Sequence, residues 1–331
     1  MKKITHCSIL SLISIASQCF SAEVGFRYYH KGEVAHVMKT DIKKVAPISY
    51  KDVDAIQLPV ERYPEEAEPI RKKFKTNVLT EEFIFVNCKV GEVKEKNLRS
   101  LIKRIAAAEK AGWTYGDIIA YREPSFNSHI PTQDLYPGPW SDVRLIAKSD
   151  VESMRSIINK AYKKKLIKRN NYRICALIYA WDNMDDKAKA FAKKHLDGLY
   201  VELNSRGGRW PKTGKAGIVG HGKKYVEPKK HNIAAYGTPG NTDTAAMAKW
   251  CKENGLRFGI STGSNVRDVW FKKMFNDFFA QCKTLKVDHK HKNFMYLIHH
   301  NNADTKRLPY YPESEEATIT NLSKFLIENV K

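Results

Sequence analysis

Three carboxylates stand where short apolar runs of the chain end. Glu123 and Asp182 each follow a run that predicts a buried strand, and Glu202 closes a third such run. Two carboxyl groups that face one cleft can act as a general acid and as a base or nucleophile. We therefore take Glu202, Asp182 and Glu123 as candidate catalytic residues. The alternative for each is an ordinary polar residue at the end of a strand.

Aromatic, basic and histidine side chains lie close to these carboxylates in the sequence. Flat aromatic faces suit stacking, and arginine binds a carboxylate or sulfate group through two parallel hydrogen bonds. A histidine after the last predicted strand can orient a substrate. The candidate substrate-binding residues are Arg122, Trp181, Asn204, Arg206, Arg209, Trp210, His299 and His300.

The segment from Asn204 to Lys230 is the most unusual part of the chain. It carries eight basic side chains against the single acid Glu227, together with six glycines. Segments of this length inside a compact domain are usually functional or disordered. An ordered segment would cover the site beside Glu202 and supply cations to an anionic ligand, whereas a disordered one would be a basic flap.

Short apolar runs alternate with longer amphipathic ones from Asp54 onward, which predicts a parallel sheet built from strand and helix units. The predicted strands are Asp54 to Leu58, Phe83 to Val90, Asp117 to Tyr121, Arg173 to Tyr179, Gly198 to Leu203, His231 to Tyr236, Arg257 to Ser261, and Asn293 to Ile298. The predicted helices are Asn97 to Ala111, Asp150 to Lys168, Asp185 to His195, Thr242 to Asn254, Val266 to Cys282, and Glu315 to Val330.

Individual residues mark where some of these helices begin and end. Asp150 can cap the start of its helix, because a carboxylate accepts hydrogen bonds from free backbone N–H groups. Gly112 and Gly255 lie just beyond helix ends, where a left-handed residue is needed.

Eight parallel strands with intervening helices, in a chain of this length, predict a closed (β/α)8 TIM-type barrel. An open doubly wound sheet is the alternative, but no glycine-rich turn follows the first strands. No linker divides the chain, so we predict one barrel domain over residues 54–331. Residues 23–53 would form an N-terminal extension that could add a strand at Val24 to Tyr29. In such a barrel the candidate residues gather at the C-terminal ends of the strands.

The pattern resembles the (β/α)8-barrel glycoside hydrolases in architecture, over Asp54 to Lys331 and without a family-specific motif. The resemblance implies hydrolysis of glycosidic bonds, which needs two carboxyl groups. Glu202 would be one of them, and either Asp182 or Glu123 the other.

The first 22 residues predict a secretory signal peptide. Lys2 and Lys3 precede a short apolar stretch, and small residues follow up to Ser21, after which we expect cleavage. The stretch is shorter than the roughly 20 apolar residues of a membrane span, so we expect no stable membrane insertion. The protein is predicted to be secreted or periplasmic.

The formal net charge of +21 falls to +19 when the two lysines of this leader are lost. A charge of that size favours an anionic partner, although scattered surface lysines can also serve solubility alone. Acidic polysaccharide, lipopolysaccharide, phospholipid head groups and nucleic acid are the candidates outside the cytoplasm. We favour an anionic polysaccharide substrate and expect no nucleic acid.

Four cysteines remain without the leader, and they lack the spacing of a disulfide scaffold or a zinc site. Cys251 and Cys282 lie on consecutive predicted helices and form the only pair that we would test for a bridge. No compact ligand spacing indicates a metal, although Asp182, Glu202, His221 and His231 could be assembled into a centre. We therefore predict neither a metal nor another cofactor.

Three other functions remain open for the same residues. A non-catalytic binder of polysaccharide would use the same aromatic and basic surface. A secreted phosphodiesterase would suit the charge, and a polysaccharide lyase would need a base and a cation beside a uronic carboxylate.

Overall fold

Eight parallel strands form a closed barrel in the computed structural model of the protein. The strands are β1 Glu23–Arg27, β2 Ala55–Gln57, β3 Val78–Phe85, β4 Thr114–Arg122, β5 Arg173–Ile178, β6 Gly198–Leu203, β7 Arg257–Thr262 and β8 Phe294–His299. The structure describes residues 21–27, 53–57, 71–72, 76–85, 93–122, 148–178, 181, 184, 186–203, 242–262, 268–299 and 325–331. Each strand pairs with the next, and β1 pairs with β8 to close the ring. The predicted (β/α)8 barrel is confirmed.

Helices cover the outside of the barrel. They are α1 Glu95–Lys110, α2 Lys148–Lys163, α3 Asp186–His195, α4 Thr242–Glu253, α5 Asp268–Thr284 and a short α6 at 325–330. Each amphipathic helix turns its apolar side to the strands, as Leu101 and Ile105 of α1 and Phe278 of α5 do. The outer core lies between this layer of helices and the sheet.

The first strand of the ring comes from the segment that we predicted to precede the barrel. β1 pairs in register with β2 on one side and with β8 on the other, with Gly25 opposite both Ala55 and Leu297. The strand predicted from Val24 onward therefore belongs to the barrel itself, as far as Arg27, where the described part of this segment ends. The predicted strand His231 to Tyr236 lies outside the described residues.

β3 begins at Val78, earlier than the predicted start at Phe83. The prediction missed these first residues because charged residues inside the strand broke the apolar run. Glu81 and Glu82 interrupt the apolar pattern of this strand, yet both are buried. Glu81 forms an ion pair with Arg104 of α1 and accepts a hydrogen bond from the hydroxyl of Tyr115. A carboxylate paired in this way can be part of a buried strand.

Two helix ends confirm the predicted role of glycine. Gly112 and Gly255 have φ angles of 91° and 69°, as the residue after a helix requires. By contrast, α2 ends at Lys163 and not at Lys168, because Lys165 takes a φ of 57° and closes the helix. Asp150 is also misplaced in the prediction, since α2 begins at Lys148 and includes Asp150 in its first turn.

The middle of the barrel interior is apolar. Its buried side chains are Ala55, Ile119, Cys175, Leu177, Tyr200, Met295 and Leu297. The ring of Tyr200 lies against Gly259 of β7, where a Cβ atom would overlap it. Glycine at this position lets a large aromatic side chain fill the interior.

Cys251 and Cys282, the pair that we would test for a bridge, are not bridged. Both thiols are free and buried, as is that of Cys175. Burial raises the pKa of the Cys282 thiol, with a smaller contribution from Asp288, to about 12. Cys88 lies outside the described residues. Within the ranges given above, no helix combines the length and apolar character that a membrane span requires.

Candidate active site

A buried polar layer occupies the barrel interior at the C-terminal ends of the strands. Arg27, the last residue of β1, is only 1% exposed. Its Nη1 donates a hydrogen bond of 2.5 Å to Oγ of Ser261 on β7, and its guanidinium group forms an ion pair with Glu82 on β3. These strands are not neighbours in the sheet, so Arg27 joins them across the interior.

Two further polar side chains belong to this layer. Gln57 of β2 is the register partner of Arg27, and Thr80 of β3 is the register partner of Gln57. Both are buried, and neither Oε1 of Gln57 nor Oγ1 of Thr80 has a hydrogen-bond partner among the described residues. An unsatisfied buried polar atom costs roughly 1–3 kcal/mol. A ligand that offers hydroxyl groups would remove this cost.

The structure brings three predicted site residues to the same end of the barrel by backbone position. Glu202 in β6 is the register partner of Ser261, and His299 at the end of β8 is the register partner of Arg27. Arg122 ends β4, where it pairs with Phe85 of β3. The polar layer and these three residues therefore lie toward the same rim of the barrel, where TIM-barrel active sites form.

Trp181 follows β5 and packs into the outer core. It is 7% exposed, and its ring centroid lies 5.3 Å from that of Trp250 on α4. Nζ of Lys189 lies 4.7 Å from the Trp181 ring centroid, at the distance of a cation–π contact. These contacts give Trp181 a packing role, and the substrate-binding role stays a prediction.

The other predicted site residues lie outside the described residues, so their roles also stay predictions. They are Glu123, Asp182, Asn204, Arg206, Arg209, Trp210 and His300. Within the described part of the chain, no cluster of three or more His, Cys, Asp or Glu side chains could hold a metal ion.

A second charged layer closes the opposite, N-terminal end of the barrel interior. Asp117 of β4 is fully buried and accepts a hydrogen bond of 2.9 Å from Nε of Arg257. It also accepts hydrogen bonds from Arg173 and from the hydroxyl of Tyr200. Nη2 of Arg257 donates in turn to Oε2 of Glu23, at 2.5 Å. This network therefore joins β4 to four other strands, β1, β5, β6 and β7, through the buried carboxylate of Asp117 and its partners.

The pKa values of this network follow from burial and from its charges. Burial raises the pKa of Asp117, but the guanidinium groups of Arg257 and Arg173 and the Tyr200 hydroxyl outweigh burial and lower that pKa overall. Burial, together with the Asp117 charge, holds the pKa of Tyr200 well above its ordinary value. Asp117 is therefore ionised and Tyr200 is protonated at neutral pH.

Acid should destabilise the protein through Asp117. The folded pKa lies below the ordinary value of 3.8, so the carboxylate stabilises the fold at any pH above 3.8. That stabilisation is lost as the pH falls through the lowered folded pKa, because the unfolded chain binds the proton first. Urea denaturation at a series of pH values from 6 to 2.5 should show the free energy of unfolding falling toward acid pH, and the fall should be smaller in Asp117→Asn than in the parent. An equal fall in both proteins would contradict this assignment.

Sequence reasoning missed Arg27, Gln57 and Glu82 as site residues. Arg27 lay in the segment taken as an extension, and Glu82 preceded the predicted start of its strand. The available signal was charge within a strand that should be buried, since such charges are paired or functional.

Comparison with known proteins finds likeness in structure only. No protein-family model matches the chain, and no curated protein matches its sequence. Orotidine 5'-monophosphate decarboxylase from Methanocaldococcus jannaschii is similar, with a TM-score of 0.42, 10% identity, and coverage of 93% of this chain and 99% of that one. The catalytic domain of β-amylase from Paenibacillus polymyxa has a TM-score of 0.45, 9% identity, and coverage of 95% and 99%.

Methylaspartate ammonia lyase from Clostridium tetanomorphum is also similar, with a TM-score of 0.43 and 9% identity. The match covers 98% of this chain but 62% of the lyase, which is less than two thirds of its length. A decarboxylase, an amylase and a lyase thus share the likeness. These three proteins catalyse different reactions, so the comparisons favour no particular reaction for this chain.

Proposed function

We propose that the protein is a secreted enzyme that hydrolyses glycosidic bonds of an anionic polysaccharide at the C-terminal end of its barrel. The observation that carries this proposal is the buried polar layer of Arg27, Glu82, Ser261, Gln57 and Thr80. A layer held only for stability would satisfy its own hydrogen bonds. The unpaired acceptor of Gln57 instead suits the hydroxyl groups of a sugar.

Glu202 and Glu82 are the carboxyl pair that this layer favours. Glu202 is two residues after Tyr200, which fills the barrel interior, and alternate residues of a strand share a face. Glu82 stands on β3, across the ring from β6, and forms an ion pair with Arg27. Asp182 and Glu123, which follow β5 and β4, are the other partners that the sequence predicts for Glu202.

The charge of the chain supports an anionic substrate. The basic segment from Asn204 to Lys230 follows directly on β6, which ends at Leu203. Its arginines Arg206 and Arg209 come within a few residues of Glu202 in the sequence. Guanidinium groups placed there would bind uronate or sulfate groups beside the bond that is cleaved.

Incubation of the purified protein with a panel of acidic and neutral glycans tests this function. Mass spectrometry should find shorter products that have gained one water for each bond cut, and new reducing ends should appear. Glu202→Gln should reduce turnover at least about a hundredfold while the circular dichroism spectrum is unchanged. Val201→Ile, which alters a neighbouring residue of β6 that packs in the outer core, serves as the comparison for general disturbance of the strand.

Three other results would each indicate a different function and overturn the proposal of hydrolysis. Retention on a polysaccharide gel without products indicates a binding protein. Products that lack the added water and absorb ultraviolet light indicate a lyase. Chelator-sensitive release from phosphate esters indicates a phosphodiesterase. Unchanged turnover of Glu202→Gln would remove this residue from the mechanism.

A further inference from the structure

The end of α2 and the turn that follows it, before β5, form the most basic exposed stretch of the described chain. We call residues 160–169 the basic turn. It holds six positive charges and no acid, and its basic side chains are all exposed. They are Lys160, Lys163, Lys164, Lys165, Lys168 and Arg169. The turn lies at the N-terminal end of the barrel, since it leads into the start of β5, opposite the candidate active site.

Two exposed apolar side chains stand among these charges. Tyr162 is 44% exposed and Leu166 is 57% exposed, and within the described ranges no other large hydrophobic side chain is exposed to this degree. Leu166 lies between Lys165 and Lys168 in the sequence, and all three side chains are exposed. Lysine beside exposed leucine and an aromatic ring is typical of surfaces that enter the head-group region of a bilayer.

The backbone of the basic turn is fixed. Leu166 N donates to Ala161 O at 2.9 Å and Lys165 N donates to Tyr162 O at 2.9 Å, which closes α2. Lys168 N donates to Oε2 of Glu109 at 2.6 Å, and the side chain of Ile167 is buried. The charges and the two apolar side chains are thus presented by an ordered support.

Lysine stands at a position of this turn where glycine would be favoured. Lys165 has a φ of 57°, a conformation that costs an L residue with a side chain more than it costs glycine. Gly112 and Gly255 occupy the same position after α1 and α4. Lys286 takes a φ of 56° at the same position after α5, so this conformation is not specific to the basic turn, and glycine should be tolerated at position 165.

Neighbouring helix ends extend the basic surface. Lys193 and Lys194 are exposed at the end of α3, beside the basic turn, and Lys110 is exposed at the end of α1. The nearby acids are engaged, since Asp197 pairs with Arg155 at 2.8 Å and Glu109 binds the backbone of Lys168. The net field at this end of the barrel is positive.

We propose that the basic turn docks the protein onto the surface of an anionic phospholipid bilayer, with Tyr162 and Leu166 entering the head-group region. Charge complementarity alone would also suit a polyanion in solution. The exposed Leu166 decides for the bilayer, because a polysaccharide or nucleic acid offers its side chain no apolar surface. Docking through this end leaves the candidate active site facing away from the membrane. The inference does not rest on the proposed function.

Sedimentation with vesicles tests this docking. The purified protein should bind vesicles of phosphatidylcholine with phosphatidylglycerol and leave vesicles of phosphatidylcholine alone unbound, and added salt should weaken binding. The triple variant Lys163→Gln, Lys164→Gln, Lys165→Gln should bind about a hundredfold more weakly, since each of the three lysines contributes roughly fivefold at an anionic surface. All variants keep the same N-terminus, so a contribution of residues 1–22 cancels.

A matched control removes the same charge from the other end of the helices. Lys94→Gln, Lys96→Gln, Lys187→Gln changes three exposed lysines near the starts of α1 and α3 and should bind vesicles as the parent does. Lys165→Gly should keep or raise the melting temperature and still weaken vesicle binding. Weaker binding by this variant could then not be caused by misfolding. Equal losses in both triple variants would show a general charge effect and overturn the proposal.

The apolar contribution separates a bilayer from a soluble polyanion. Tyr162→Ser with Leu166→Ser should weaken vesicle binding several-fold, including at a salt concentration that already weakens the charge effect. The same variant should bind dextran sulfate as the parent does. Vesicle binding that is unchanged in this variant would assign the basic turn to a polyanion and overturn docking on a bilayer.

Discussion

Replacing Asp117 with asparagine is expected to lower the free energy of unfolding by about 3–5 kcal/mol, because removing one partner leaves a buried charge without compensation. Asp117 is fully buried, and Arg257, its partner at 2.9 Å, has a side chain only 2% exposed. In the variant, Arg257 keeps its charge in the interior with Glu23 as its remaining carboxylate partner among the described residues. Tyr200 also loses the charged acceptor of its hydroxyl. Equilibrium denaturation in urea measures the loss.

An exposed ion pair provides the control for this variant. Glu95 and Arg99 of α1 lie 2.8 Å apart, and each side chain is 68% exposed. Water screens this pair, so Glu95→Gln should lower the free energy of unfolding by about 0.5 kcal/mol or less. Equal effects of Asp117→Asn and Glu95→Gln would contradict a stabilising role of the buried network.

Apolar periodicity was enough to predict the barrel, because strands that are buried on both faces differ strongly from amphipathic helices. β5 and β6 were predicted almost to the residue, since their sequences are nearly continuous apolar runs. Gly112 and Gly255 were predicted as helix ends because glycine marks a left-handed position in the sequence. Lys165 gives no such mark, so the prediction extended α2 too far.

The charged layers inside the barrel could not be predicted in the same way. A charge in a sequence is ordinarily assigned to solvent, yet Arg27, Glu82 and Asp117 point into the interior and are compensated there by residues distant in the chain. Arg27 and Ser261 meet across a separation of 234 residues. Only closure of the ring brings such residues together, so their pairing is a consequence of the tertiary structure.

The two layers differ in how completely they are satisfied. At the N-terminal end, Asp117 receives hydrogen bonds from three side chains, which is the arrangement of a structural network. At the C-terminal end, Gln57 and Thr80 keep polar atoms without partners among the residues described. Stability alone does not explain that layer, because apolar side chains would fill the space at lower cost.

Replacing Arg27 separates a structural from a functional role of the layer. Arg27→Met removes the guanidinium group that pairs with the buried carboxylate of Glu82 and should lower the free energy of unfolding by about 3–5 kcal/mol. Arg27→Met combined with Glu82→Leu removes both charges and should recover most of that loss. Urea denaturation of the parent, both single variants and the double variant gives the coupling energy of the pair.

Turnover should not follow stability in this series. If the layer binds and cleaves a glycan, the double variant is folded and inactive, because neither the Glu82 carboxylate nor the Arg27 guanidinium group remains to act on the substrate. Phe83→Leu, a change at a buried neighbour of Glu82 that packs in the outer core, controls for altered packing of β3 and should retain turnover. A double variant that regains both stability and turnover would show that Arg27 and Glu82 serve the fold alone, and the active site would then lie elsewhere on the barrel.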